Sequence, residues 1–270
     1  MKLVLASAGF LLTSIWLVSG ALNSKRQASS TQPGVDRTPV VVELFTSEGC
    51  SSCPPADALL GKLFRNQPVD GAEVIAIEEH VDYWDSLGWK DPFSSSKWTL
   101  RQQDYAAVFR SGSVYTPQMV IDGQAELVGS RESQSEKEIS EWSRHPKIHV
   151  VLSSNGTAAD GSPVYSVHVG KLIDGKNGDT AEVWLAVTED NLQSSVTRGE
   201  NAGEHLRHTS VLRTLRKLGV AEAGKDESFS GSIDVRFDPA WKRESTRVIV
   251  LVQERKSRRI LGAAKSELAH

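Results

Sequence analysis

Cys50 and Cys53 are the only cysteines of this 270-residue chain, and Ser51-Ser52 separates them. At that spacing the second sulfur reaches the first across one helical turn, so the pair can close and open as a disulfide without moving the fold. The pair falls between an apolar, β-branched run and an amphipathic helical stripe. A thiol at such a junction faces free amide donors and the positive end of the helix dipole, which favour thiolate. On this reading Cys50 is the exposed nucleophile and Cys53 the sheltered thiol that resolves a mixed disulfide. Three alternatives stand beside it: a permanent, inert disulfide; half of a zinc or copper site completed by His or carboxylate ligands; and two unrelated thiols.

A second group of residues lies at the end of the next apolar run. His80-Val81-Asp82-Tyr83-Trp84-Asp85 follows a strand at its carboxyl end, where ligands of open α/β sheets bind. There His80, Asp82 and Trp84 are candidate substrate contacts, and His80 is a candidate proton shuttle for the thiols. The alternative for His80 is a hydrogen-bonded strand-end residue. Glu48 and Asp82 near the pair would raise a thiol pKa against the helix dipole. Trp84, Trp89, Phe93 and Trp98 form either an aromatic rim for a peptide partner or the core of an inserted helical lid. His205 and His208 would share a face, and could ligate a metal, only if helical. The alternative for Arg198–Glu204 and the residues after it is a Gly- and Asn-bearing loop that docks the C-terminal region onto the N-terminal one. The sequence has no Gly-x-Ser-x-Gly elbow, phosphate loop or HExxH, so hydrolase and nucleotide readings lack a site. No metal site is expected, and no cofactor beyond the cysteine pair is called for.

The elements that must position these residues follow two patterns. From 39 to 145, strand and helix alternate: PVVVELFTS (39–47), a helix with Ala56, Leu59, Leu60, Leu63 and Phe64 on one stripe, and GAEVIAIEEHVDYW (71–84). Two strands joined through a helix imply a right-handed parallel crossover. A helical stretch around 97–110 precedes VYTPQMVIDG (114–123), which places Pro117 at a strand's first residue and ends in an Asp-Gly turn. AELVG (125–129) pairs with it as a hairpin, and 131–144 is a helix. From 146 to 270 the pattern is β-rich, with strands at 147–154, 164–170, 181–189, 229–237 and 247–254, and turns that include Asp174-Gly175. The segment 208–219 fits helix or strand. The fold class is therefore α/β with a β-rich, sandwich-like C-terminal region.

Residues 1–21 carry one lysine, an apolar stretch from Leu3 to Val18 and small residues at Ser19, Gly20 and Ala21. This is the grammar of a secretory signal, with an uncleaved anchor as the alternative, and 22–38 is a flexible linker. The composition of the full chain, 39% hydrophobic with seven Trp and seven Phe, excludes a disordered chain. A formal charge of −3 offers no basic surface to nucleic acid.

The blocks VELFTSEGCSSCPPADALLGKL, HVDYWDSLGWKDPF, VYTPQMVIDG and RGENAGEHLRHTSVLR resemble the exported thioredoxin-like family known as domain of unknown function 1223 (DUF1223). The resemblance spans essentially the whole mature chain. It implies a thioredoxin-like βαβ…ββα domain with a β-rich extension, and it supplies no established reaction. Within the wider superfamily, Cys50 and Cys53 match the redox pair, and Pro117, beside Thr116, matches a cis-proline whose backbone receives an extended substrate. Thioredoxin proper has Gly-Pro between its cysteines and a Trp before them, where this chain has Ser51-Ser52 and Gly49. The expected function is thiol–disulfide exchange outside the cytoplasm, periplasmic or secreted, with protein or small-molecule thiols and disulfides as partners. No nucleic acid is expected, and no membrane contact other than through an uncleaved anchor. The rival readings are a binding module with a structural Cys50–Cys53 bond, and a copper-handling protein using Cys50, Cys53 and His80.

Overall fold

Val40, Val41 and Val42 lie in β1 (Thr38–Thr46), which is buried from Val40 onward on both faces, as a strand inside a fully covered sheet must be. The computed structural model describes residues 37–172 and 179–266. The expected signal segment, all but the last two residues of the linker and the Asp174-Gly175 turn lie outside the described residues. Among those described, no helix is long and apolar enough to cross a membrane.

β1 leads into α1 (Pro54–Asn66), which carries Pro54 and Pro55 at its first positions, where a missing amide donor costs nothing. Ala56, Leu59, Leu60 and Leu63 form its buried stripe. β2 (Ala72–His80) then runs parallel to β1, with Thr38 opposite Ala72 and Thr46 opposite His80. α2 (Ser96–Phe109) covers the other face of the sheet, its first turn capped by the Ser95 hydroxyl. β3 (Gln118–Ile121) and β4 (Ala125–Val128) form the expected hairpin, turning at Asp122 (φ 50°) and Gly123 (φ 66°). α3 (Glu132–Ser143) follows, so the βαβ…ββα order is as expected.

The rest is strand apart from a short 3-10 turn: β5 (Val150–Thr157), β6 (Pro163–Gly170), β7 (Ala181–Glu189), β8 (Leu192–Ser195), β9 (His205–His208), β10 (Val211–Val220), β11 (Glu227–Asp234), β12 (Thr246–Glu254) and β13 (Ile260–Lys265). The segment that fitted helix or strand is extended, because β10 pairs along its length with β7. One eight-stranded sheet, ordered β13-β12-β7-β10-β2-β1-β3-β4, contains strands from both halves of the chain. The segments 39–145 and 146–270 thus share a sheet, joined where Val211 of β10 lies beside Glu78 of β2.

Alternation along the strands sends side chains into separate cores. Val40, Val42 and Leu44 pack with Leu60, Leu63 and Ile139 of α1 and α3. Val183, Leu185 and Val187 pack with Tyr165, Val167 and Val169 of the three-stranded sheet β11-β6-β5, which makes the sandwich. On the opposite face, Val41 and Ile75 meet Ala186, Ile249 and Trp98 in one cluster that spans both halves. β13 carries Gly262 for a steric reason: a Cβ there would stand 2.4 Å from the Ile148 carbonyl oxygen.

The hairpin turn is also a joint. Buried Asp122 accepts from the Val41 amide and the Lys147 ammonium, and its carbonyl accepts from the Ile260 amide. A Cβ on Gly123 would lie 1.9 Å from the Arg258 carbonyl oxygen. Gly71 also has positive φ (75°), but faces open space. Gly71→Ala is expected to cost about 1–2 kcal/mol, the left-handed backbone penalty alone. Gly123→Ala should cost distinctly more in urea unfolding at the same pH. Equal losses would show that the Arg258 contact does not constrain the turn.

Candidate functional site

Cys50 and Cys53 are joined by a disulfide. Cys53 is the N-cap residue of α1, and its carbonyl receives the amides of Ala56 and Asp57. The intervening turn is held by the Cys50 amide on the Ser47 carbonyl and the Cys53 amide on the Cys50 carbonyl, both 3.1 Å. The Ser52 hydroxyl donates to the Cys50 sulfur at 3.4 Å. Gly49 packs closely here: a Cβ would lie 3.1 Å from the Trp84 Cβ. The Trp84 indole in turn donates to the Thr116 hydroxyl at 2.8 Å. The Thr116–Pro117 peptide bond is cis. Trp84 therefore touches both the segment before the disulfide and the segment before β3.

The expected exposure of Cys50 needs correction. Cys50 is 1% exposed and Cys53 0%, while Ser51 and Ser52 face solvent. A loop 150 residues further on forms the cover. The Asn201 side-chain amide donates to the carbonyls of Glu48 (2.8 Å) and Cys50 (3.0 Å). The Glu200 carboxylate accepts from the Ser51 amide (3.0 Å) and hydroxyl (2.7 Å). The Gly- and Asn-bearing block thus docks the C-terminal half onto the N-terminal half.

Below this turn lies a buried chain of charged groups. His80 Nδ1 is 2.7 Å from Asp91 Oδ2, and His80 Nε2 is 3.1 Å from Glu78 Oε1. The same Glu78 oxygen is 2.7 Å from His208 Nδ1, and His208 Nε2 is 3.0 Å from Glu48 Oε1. The side chains of Glu48, Glu78, His80, Asp91 and His208 are fully or almost fully enclosed. Burial opposes charge on His80 and His208, but the carboxylates outweigh it: His80 is held well above its ordinary range and His208 is raised to about 9. Burial likewise opposes ionisation of Glu78, yet His208 and His80 hold it down at about 2. Asp57 differs. Burial, reinforced by Glu78, raises it from 3.8 to about 7, against the opposing effects of His208 and the Thr46 hydroxyl.

The sequence candidates are therefore distributed unevenly. Trp84, Thr116 and Pro117 gather beside the disulfide turn. Both ring nitrogens of His80 are engaged by carboxylates rather than by the cysteines. Asp82 accepts from the Thr99 hydroxyl at 2.6 Å and so anchors the first turn of α2. Of the aromatic residues, Trp98 is core, whereas Trp89 spans the cover and the charged chain through its bond to Glu48. His205 and His208 lie on a strand, so His205 faces out and His208 in. Reading the sequence missed Glu78, Asp91 and Asp57. Glu78 had a signal, since it shares a strand face with His80 at i, i+2; Asp91 and Asp57 had none.

The family model described as "Protein of unknown function (DUF1223)" matches residues 41–253. Among solved structures, the chain is similar to the crystal structure of a structural-genomics protein from Agrobacterium tumefaciens. That likeness has 25% identity and a TM-score of 0.64, covering 86% of this chain and 95% of the other. It is also similar in fold to HBP35 of Porphyromonas gingivalis, at 17% identity and a TM-score of 0.63, over 86% of this chain and 76% of the other. No curated protein matches.

Two measurements probe this site. Asn201→Ala removes two hydrogen bonds from the cover, so reduction of the disulfide by dithiothreitol at neutral pH should speed up about tenfold, equivalent to about 1.4 kcal/mol. An unchanged rate would mean that the loop does not control access. The second concerns Asp57, whose folded pKa lies above its unfolded one. The folded chain keeps a proton that the unfolded chain has lost, so this group's contribution falls as pH rises from about 4 to about 7. The stability of Asp57→Asn relative to wild type should therefore climb through that window by up to about 1.4 kcal/mol per unit and level off above it. A pH-independent difference in urea unfolding would contradict the assignment.

Proposed function

This chain belongs to the DUF1223 family, and on that footing we propose that it is an exported, thioredoxin-like protein that exchanges thiols and disulfides through Cys50 and Cys53. The observation that carries the reading is the closed Cys50–Cys53 bond at the junction of β1 with the N-terminus of α1. Support comes from the cis Thr116–Pro117 bond, linked to the same turn through Trp84. Export rests on the signal grammar of residues 1–21.

In the oxidised form, a substrate thiolate attacks the Cys50 sulfur, forming a mixed disulfide and releasing Cys53 as thiolate. A second substrate thiolate then displaces Cys50, so the substrate leaves as a disulfide and the protein as a dithiol. In reverse, the Cys50 thiolate opens a substrate disulfide and Cys53 resolves the mixed species. The amide-rich start of α1 favours charge on the leaving sulfur in the first direction and on the attacking one in the second. No other cofactor takes part in either sequence.

The near-complete burial of both cysteines favours a second reading, a binding module whose disulfide is a structural staple. The two differ in potential and in reactivity. Equilibration with thiol redox buffers should give a couple above about −300 mV, the range of working rather than structural disulfides. A Cys53→Ala variant should leave Cys50 open to alkylation and able to form a mixed disulfide with a thiol-bearing peptide. A couple far below that potential, with an unreactive Cys50, would favour the staple.

A further inference from the structure

We propose that Glu78, His80 and His208 are the ligands of one divalent first-row metal ion, with zinc the best match to their donor set. The inference stands on the buried charged chain and is independent of the thiol chemistry above. Glu78 Oε1, His80 Nε2 and His208 Nδ1 converge, all within 4.8 Å of one another. Ligand bonds of about 2.0–2.2 Å to a tetrahedral zinc require donors roughly 3.3–3.5 Å apart, so small side-chain rotations close the set around one ion. Two imidazoles and one carboxylate leave a fourth position for water.

The surroundings are those of a metal shell. The ring nitrogen of each histidine that points away from the centre meets a carboxylate: Asp91 for His80, Glu48 for His208. Such partners fix the tautomer and aim the inner nitrogen. They are themselves held. Asp91 accepts the amides of Glu48 and Phe93, each at 2.8 Å, and Glu48 accepts the Trp89 indole. The second oxygen of Glu78 takes the Thr209 amide at 2.7 Å. Phe93 walls the site, its ring centroid 5.4 Å from His80 and 5.5 Å from His208.

Hydrogen-bond accounting points the same way. A carboxylate only accepts, and each imidazole has carboxylates on both sides, so each ring must donate from both nitrogens. That places two charged rings with centroids 4.7 Å apart against one shared oxygen. A divalent ion carries the same charge as the two inner protons and keeps both outer N–H bonds. A cleft of about 430 Å³ lined by Asp57, His205, His208 and Thr209 borders the cluster on its His208 side.

The test uses the chain with its disulfide intact, so that no thiol competes for metal. After chelator stripping, titration with zinc alone should show one equivalent bound. X-ray absorption at the zinc edge should show two imidazoles, oxygen for the remainder and no sulfur. His208→Ala should weaken binding more than 100-fold, and Asp91→Asn, which disturbs only a positioning residue, by about 10–100-fold. Absence of stoichiometric uptake by the wild-type chain, sulfur in the first shell, or unchanged uptake by His208→Ala would each overturn the proposal. If His208→Ala fails to fold, the wild-type absorption spectrum decides.

Discussion

The backbone amide of Glu78 donates to the Ser210 carbonyl at 2.9 Å, across the boundary where β2 meets β10. The carboxylate of the same residue receives the Thr209 amide and stands between His80 and His208. One residue therefore joins the two halves of the sheet and anchors the charged groups beneath the disulfide turn. A carboxylate this deeply buried is tolerable only when fully paired, since an unpaired ion in the interior costs several kcal/mol. The pairing needs Thr209 and Ser210 in place, and these residues enter through the backbone of the β9–β10 turn, where Ser210 has φ 55°. Seam and charged cluster are consequently a single construction.

The cover over the disulfide draws on the same seam. The loop carrying Glu200 and Asn201 lies between β8 and β9, and β9 ends at His208. Two glycines with positive φ, Gly199 and Gly203, bracket the pair, and a Cβ on Gly199 would lie 3.2 Å from the Trp89 Cβ. Trp89 also binds Glu48, which faces His208. The turn that carries Cys50 is therefore enclosed by groups whose positions are set from the C-terminal half. Four hydrogen bonds hold the cover on this turn, and two of them end on exposed Ser51 and Glu200. Those two lie at the surface, and the two from Asn201 are buried.

Much of the N-terminal half was legible because its signals are local. Unbroken apolar strands, the α1 stripe, the prolines at its start and the Asp122-Gly123 turn each depend on neighbours within about one helical turn or hairpin. β7 and β12 were legible for the same reason. What local pattern could not supply was any relation across the chain. Cys50 has the sequence context of an exposed thiol, and nothing near it announces Asn201. Glu78 meets His208, 130 residues away, only in the folded chain, and nothing in the sequence around Asp91 points to its partner His80. The segment from His208 fitted helix or strand by local pattern; pairing of β9 with β8 and of β10 with β7 makes it extended. β13 was missed because Gly262, Ala263 and Ala264 carry little strand propensity, and of these Gly262 answers to the Ile148 backbone.

The order of strands also bears on how this molecule assembles. In the finished sheet β2 lies between β1 and β10, yet its contact with the β9–β10 turn spans 131 residues of chain. Until the later residues arrive, an apolar strand has one bare hydrogen-bonding edge, the kind that pairs with foreign strands. Closing so long a loop is slow compared with forming the hairpin or the helices. In a polypeptide made N-terminus first that edge of β2 is without its native partner until β10 has been added.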